Sequence, residues 1–200
     1  MVITTSMLKQ RYNAFANPQD KIRRDVLSGA LYRINRAVYE TDADTEPYLL
    51  AASILSPSYL SFDFALAYYG LIPERVVSVT SASLNVRKNK TFVNYFGRYE
   101  YSDIPAEAFS EGLTYIGSGE YVVKIATREK AICDSLYKWR PVNSVRQLKE
   151  MLFLDKRIDR EVFSSCDFRL MVRLAKLYHR TNLELLVKLI EKEYCHEQCD

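Results

Sequence analysis

Between Pro57 and Pro73 the chain reads PSYLSFDFALAYYGLIP, an apolar helix with its start and stop signals written on either side. Ser61 is placed to accept a backbone hydrogen bond as N-cap, and Asp63 puts a carboxylate in the positively polarised first turn. Phe62, Ala65, Leu66 and Tyr69 recur at i, i+3, i+4 and i+7, which marks one face for burial. Gly70 and Pro73 then end the helix. Such a helix needs a core to cover it. With 48% apolar residues in a chain of 200, one substantial core and a small appended module are expected.

No apolar run approaches the roughly 18–20 residues that span a bilayer, and the opening MVITTSMLKQR has no signal-peptide apolar stretch. The expected location is the cytoplasm. The four cysteines, Cys133, Cys166, Cys195 and Cys199, lack paired metal-site spacing elsewhere in the chain, so reduced thiols are expected.

The net charge of +3 conceals an asymmetry: residues 1–39 carry seven Lys/Arg against two Asp/Glu, and residues 40–200 carry 21 against 23. A small basic module on a nearly neutral body suits attraction to a phosphate backbone, although a solvated surface gives the same count. Leu8, Tyr12 and Phe15 predict a first helix over about Ser6–Ala16. Asn17 as N-cap, Pro18 at N1 and Asp20 at N3 start a second helix, which runs to Ser28 and ends at a left-handed Gly29. Two short strands, 31–34 and 38–40, flank Asn35-Arg36-Ala37 and complete a compact winged module over residues 1–40.

The polar, acidic stretch before Pro47 reads as a linker, residues 41–47, and the body follows over 48–200. Helices are expected at 48–55 and 62–69. Strands are expected over about 76–125, at Val76–Thr80, Thr91–Tyr95, Arg98–Tyr101 and Tyr121–Ile125. A helical region spans 127–194, with a Thr181/Glu184 capping box at its last helix. The fold class is therefore α+β: a small N-terminal winged helix-turn-helix, then a mixed α/β body whose C-terminal third is helical.

Three strings in the body, PSYLS with the following AL.YYGLIP, VVSVTS, and IATREKAICDSLY, resemble the AbiEi-type antitoxins of bacterial type IV toxin–antitoxin, or abortive infection, systems. The resemblance covers nearly the whole chain. It implies a transcriptional autorepressor that binds repeats in its own promoter as double-stranded DNA and counters a nucleotidyltransferase-like toxin, with no need for the two proteins to touch. An antitoxin that acts mainly by direct contact with its toxin through the body is the alternative. Neither reading calls for a cofactor or a metal, and neither is an enzyme.

On a helical wheel Ile22, Val26 and Leu27 define the inner side of the second helix, with Lys21, Arg24 and Ser28 opposite. That outer face suits a recognition helix in the major groove, where Arg or Lys bonds guanine or nearby phosphates. Arg23 falls between Ile22 and Leu27, so its stem covers the core edge while its head reaches a phosphate or an acidic neighbour. Arg33 and Arg36 sit on the hairpin, where they suit backbone phosphate or the minor groove. The resemblance carries DNA contact onto Lys21, Arg24, Arg33 and Arg36, and more weakly onto Lys9 and Arg11. Family members usually have glycine after the second arginine of the hairpin, where this chain has Ala37.

A second basic surface is expected from Arg169, Arg173, Lys176 and Arg180, at i, i+4, i+7 and i+11 opposite Leu170, Leu174 and Leu177. Solvation or a contact with DNA or protein would each satisfy it. Enzymatic patterns are weak. Glu129 and Lys130 read as the exposed start of a helix, with Asp134 capping or pairing locally. Gly117-Ser118-Gly119 reads as a hairpin turn, because a phosphate loop needs a third glycine and a following helix. Cys195, His196 and Cys199 form a fragment of a metal motif without a second ligand pair.

Overall fold

The computed structural model describes residues 1–84 and 89–194. It begins with β1 (Val2–Thr4), α1 (Thr5–Arg11) and α2 (Pro18–Leu27), followed by a hairpin of β2 (Tyr32–Arg33) and β3 (Val38–Glu40). β3 lies between β1 and β2 and is antiparallel to both, with Tyr39 opposite Ile3 on one side and Arg33 on the other. The N-terminus of α2 forms as its sequence dictates. Asn17 Oδ1 accepts from the Gln19 and Asp20 N–H groups, and Asn17 Nδ2 donates to Asp20 at 2.7 Å. Gly29, at φ 75°, turns the chain out of the helix into the hairpin.

The body opens with a 3₁₀ turn at Pro47–Leu50, then α3 (Ala51–Ile54), β4 (Ser58–Leu60) and α4 (Phe62–Tyr68). Five strands follow: β5 (Ser78–Ser83), β6 (Lys90–Asn94), β7 (Gly97–Asp103), β8 (Leu113–Ser118) and β9 (Tyr121–Ala126). Next come α5 (Arg128–Lys138), α6 (Val145–Glu150) with a π-helical turn at Met151–Asp155, α7 (Arg160–Ser164), α8 (Phe168–Ala175) and α9 (Thr181–Glu193). The described residues form one six-stranded mixed sheet in the order β6-β7-β5-β4-β9-β8, with β5–β7 and β4–β9 parallel. The class is mixed α+β, and among the described residues no helix is long and apolar enough to cross a membrane.

Alternation sorts the sheet's two faces. Val79, Tyr99 and Tyr101 point to one side, where the Tyr99 hydroxyl donates to Pro47 O at 3.0 Å and the Tyr101 hydroxyl to Ala51 O at 2.7 Å. On the other side Tyr59 reaches α5 through its hydroxyl, which donates to Asp134 at 2.9 Å. Helices α8 and α9 pack behind α5.

The N-terminal module has its own small core of Ile3, Leu8, Ile22, Leu31 and Tyr39, but its sheet is buried on both faces. Tyr39 points inward to α1 and α2. Its neighbours on the opposite face point to the body, Val38 packing against the main core and the Glu40 carboxylate accepting from the Tyr121 hydroxyl at 2.8 Å. The hairpin also buries Ile34 in the main core, and Tyr32 packs on Tyr95 at 4.5 Å between ring centroids. Asn35 Nδ2 donates to Ser53 O at 2.9 Å and Asn94 Nδ2 to Ile34 O at 3.1 Å. The segment 41–47 begins on backbone N–H groups of Thr41 and Asp42 that donate to Glu40, and Thr45 is buried.

Several local expectations fail for one reason, that a tertiary partner outcompetes the local one. Ser61 does not cap α4: Phe62 takes a left-handed backbone at φ 55°, and Ser61 Oγ donates to Asp134 at 2.6 Å. The cap comes instead from β5, where Thr80 Oγ1 accepts from Phe64 N–H at 3.0 Å and donates to Ser61 O at 2.6 Å. The Thr181/Glu184 capping box does not form either. Arg180 is the N-cap residue of α9, without a side-chain cap, and Asn182 turns inward to the end of α5. The first helix stops at Arg11, short of the expected Ala16, and strands β1, β4 and β8 add to those expected. β5 starts at Ser78, leaving Val77 89% exposed outside the sheet.

Candidate nucleic-acid interface

Burial on α2 corrects the helical wheel. Ile22, Asp25 and half-buried Val26 form the inner face, whereas Leu27 is 79% exposed. Gly29 turns the chain away soon afterwards and leaves Leu27 on the open side of the last turn of α2.

Lys21 is withdrawn from the outer face. Its ammonium pairs with Asp25 one turn on and lies over the rings of Tyr12 and Phe15, at 5.5 and 5.9 Å from their centroids. Burial alone would raise the Asp25 carboxyl, but hydrogen bonds from Lys21 and Tyr12, together with the charges of Lys21 and Arg24, outweigh it and hold the carboxyl below its ordinary range. The pair and the two rings tie α2 to the segment that connects it to α1, which makes Lys21 a structural cation.

Arg23, Arg24 and Ser28 remain exposed on α2, and Arg36 is exposed on the hairpin, as are Lys9 and Arg11 on α1. Among the described residues none of these five cations has an acidic partner in an ion pair or hydrogen bond. Arg33 is also exposed, and its guanidinium is held in place by donating Nε to Asn35 O at 3.1 Å and one terminal nitrogen to Arg36 O at 3.2 Å. A guanidinium carries five N–H donors, so this leaves three free on a fixed head. Arg23 and Arg33 face each other across a groove of about 370 Å³ between α2 and the hairpin, whose walls include Gln19, Leu27 and Tyr39. Both guanidinium groups are exposed, and free guanidinium N–H donors on the walls of a groove are suited to anionic oxygens.

The second basic surface is only partly assembled. Arg169, Arg173 and Lys176 share the exposed side of α8 and its end, but the helix stops at Ala175. Left-handed His179, at φ 48°, turns the chain, so Arg180 leaves the stripe and lies over the Tyr137 ring at 4.9 Å. An acid from elsewhere in the chain meets the stripe, since Glu111 from the loop before β8 pairs with Arg173 at 3.4 Å.

The strongest departure from the sequence reading is at the start of α5. Glu129 and Lys130 are buried rather than exposed, and Asp134 is completely enclosed. Lys130 Nζ lies 3.3 Å from Asp134 Oδ1 and donates to Ala108 O and to the Tyr178 hydroxyl. Asp134 in turn accepts from Tyr59, Ser61 and Tyr178. Glu129 accepts from Asp167 N–H at 3.0 Å. A general acid or base has to reach a substrate, and this network has no open side, so its work is to bind β4, α5 and the α8–α9 turn together. The helical spacing of IATREKAICDSLY carries the i, i+4 pair, but only the tertiary fold brings Tyr59, Ser61 and Tyr178 to it.

A cleft of about 490 Å³ beside β5 has charged walls, part of which are satisfied internally: Glu74 pairs with Arg157 at 2.9 Å, Glu100 with Arg98 at 2.6 Å, and Lys156 lies over Trp139 at 5.0 Å, while Asp63, Arg75 and Asp155 also line it. Among the described residues no group of three or more His, Cys, Asp or Glu is arranged to hold a metal ion. Cys195, His196 and Cys199 lie outside the described residues.

No model of a known protein family matches the chain, and no curated protein matches it.

Proposed function

We propose that this protein binds double-stranded DNA through its N-terminal module and acts as an AbiEi-type antitoxin that represses its own promoter in the cytoplasm, with no catalytic activity of its own. The observation that carries the reading is the set Arg23, Arg24, Arg33 and Arg36, exposed together on α2 and the adjoining hairpin and, among the described residues, in no ion pair or hydrogen bond with an acid. The order strand, helix, helix, hairpin, with β1 added beside β3, is consistent with a winged helix-turn-helix without its first helix, and supports reading α2 as the recognition helix and the hairpin as the wing. A wing docked on the body through Ile34 and Asn35 would hold α2 at a set angle to the duplex.

The test is fluorescence anisotropy with duplex from the chain's own upstream region. Affinity should fall steeply with salt, because each Lys/Arg–phosphate contact releases counterions. Arg23→Ala/Arg24→Ala/Arg36→Ala should abolish binding while the far-ultraviolet circular dichroism stays the same. Normal binding by that folded variant would sink the assignment.

A groove of about 340 Å³ between α8 and α9 supports the reading in which the toxin is contacted directly. Its floor of Ala175, Leu183 and Val187 has a mixed rim, Lys176, Arg180 and Lys188 with Glu184 and Glu191, which suits an amphipathic helix carrying charges of both signs. Loss of rescue from the toxin on Lys176→Glu/Lys188→Glu, with repression intact, would favour this second reading.

A further inference from the structure

Resting on the DNA-binding reading, we infer that Gln19, Arg23 and Leu27 form a base-reading ridge, and that the exposed Leu27 contacts a thymine methyl group in the major groove. The three side chains follow one another at i, i+4 and i+8, so they lie along one ridge of α2. All three are exposed and line the groove shared with Arg33. Leu27 is the feature that a purely electrostatic interface does not explain. It is 79% exposed on a helix whose inner face is already filled by Ile22, Asp25 and Val26, and it stands beside Arg23 and Arg24.

The chemistry of each residue matches one base edge. Glutamine pairs bidentately with adenine N6/N7, arginine with guanine O6/N7, and an apolar side chain with the methyl of thymine. Spacing fits as well. Four residues advance about 6 Å along a helix, and base pairs are stacked about 3.4 Å apart. Consecutive ridge residues therefore meet base pairs about two steps apart, and the ridge covers about five base pairs of a helix laid along the groove. The competing acid on this face, Asp20, is occupied by Asn17 Nδ2 at 2.7 Å. Arg33 and Arg36 on the hairpin supply phosphate contacts that set the register without reading sequence.

The experiment selects a binding site from a randomised duplex library with the full chain, then measures affinity for the selected duplex with single-base changes. Arg23→Ala should relax the preference at one guanine by about ten- to a hundred-fold. Replacing the ridge-contacted thymine by uracil removes only a methyl group, and should weaken wild-type binding about fourfold. That penalty should vanish in Leu27→Ala. Arg36→Ala should weaken all duplexes equally. Salt-sensitive binding with no sequence enriched would overturn the ridge and leave DNA binding standing. An enriched site whose base preferences survive both Arg23→Ala and Leu27→Ala would also overturn it. Failure to bind any duplex at low salt would remove the DNA-binding reading and this inference with it.

Discussion

Neutralising one member of the Lys130–Asp134 pair should be among the most damaging isosteric changes this chain can suffer. Asp134→Asn keeps the volume of the side chain but leaves the Lys130 ammonium, which has no exposed surface, without its countercharge 3.3 Å away. It also gives Tyr59, Ser61 and Tyr178 an amide where they now donate to a carboxylate. Breaking a buried pair from one side costs about 3–5 kcal/mol. Lys130→Met should cost a similar amount, because it leaves Asp134 charged and enclosed. The double variant removes both charges, so its cost should fall short of the sum of the singles by at least about 1.5 kcal/mol, within the range found for residues in contact. Urea titration followed by fluorescence of Trp139, the single tryptophan, reads all three. With a slope of about 2 kcal/mol per molar, each single variant should lower the midpoint by about 1.5–2.5 M. A shift below about 0.5 M for Asp134→Asn, or additive costs in the double variant, would refute the role given to the network.

Lys21→Met should lower thermal stability by about 1 kcal/mol through the partly buried ion pair and the ring contacts it removes, while DNA affinity changes less than in Arg36→Ala; the reverse order would return Lys21 to the interface. Asn182 Nδ2 donates to Leu136 O, Trp139 O and Arg140 O, and its Oδ1 accepts from Val142 N–H, so Asn182→Ala should cost about 1–3 kcal/mol in urea titration by orphaning the end of α5; an unchanged midpoint would contradict that. The Glu40 carboxyl, raised by burial but lowered further by hydrogen bonds from the terminal amine, Tyr121, Thr41 and Asp42, lies below its ordinary range, as does that of Asp25. The native chain therefore binds fewer protons than the unfolded one near pH 4, so the stabilisation is complete above the ordinary carboxylate range and is lost as pH falls through the depressed native values. Asp25→Asn/Glu40→Gln should flatten the fall in urea midpoint between pH 5 and 3, and parallel curves would dismiss both groups as its cause.

Much of the architecture was legible because short-range physics decides it. Asn17, Pro18 and Gly29 bound α2 at their expected places, Thr127 caps α5 through Lys130 N–H, and Gly70 ends α4 at φ 70°. Tyr121–Ile125 lies within β9, and Gly117-Ser118-Gly119 leads into the β8–β9 hairpin. In each case the competing states differ by interactions within one or two turns of chain, which residue type alone can report.

Where a side chain had two possible partners, the sequence could not choose between them. Ser61 and Thr181 have the composition of caps, but β5 supplies the cap of α4, and no side chain caps α9. The wheel placed Leu27 inside and Lys21 outside because it weighs hydropathy and not neighbours; Asp25 and the rings of Tyr12 and Phe15 just after α1 draw Lys21 inward, and the helix end at Gly29 leaves Leu27 uncovered. A hairpin of alternating residues shows that one face is buried, but not that Ile34, Val38 and Glu40 meet a second core on the other side. What the sequence by itself determined is therefore most of the helices and strands, those ends that local caps and glycines decide, and the excess of cations in the first 39 residues. Only the tertiary structure decided which cations stay unpaired and which polar groups are sealed in the core, because a charge's cost depends on what surrounds it, and those neighbours come from distant parts of the chain.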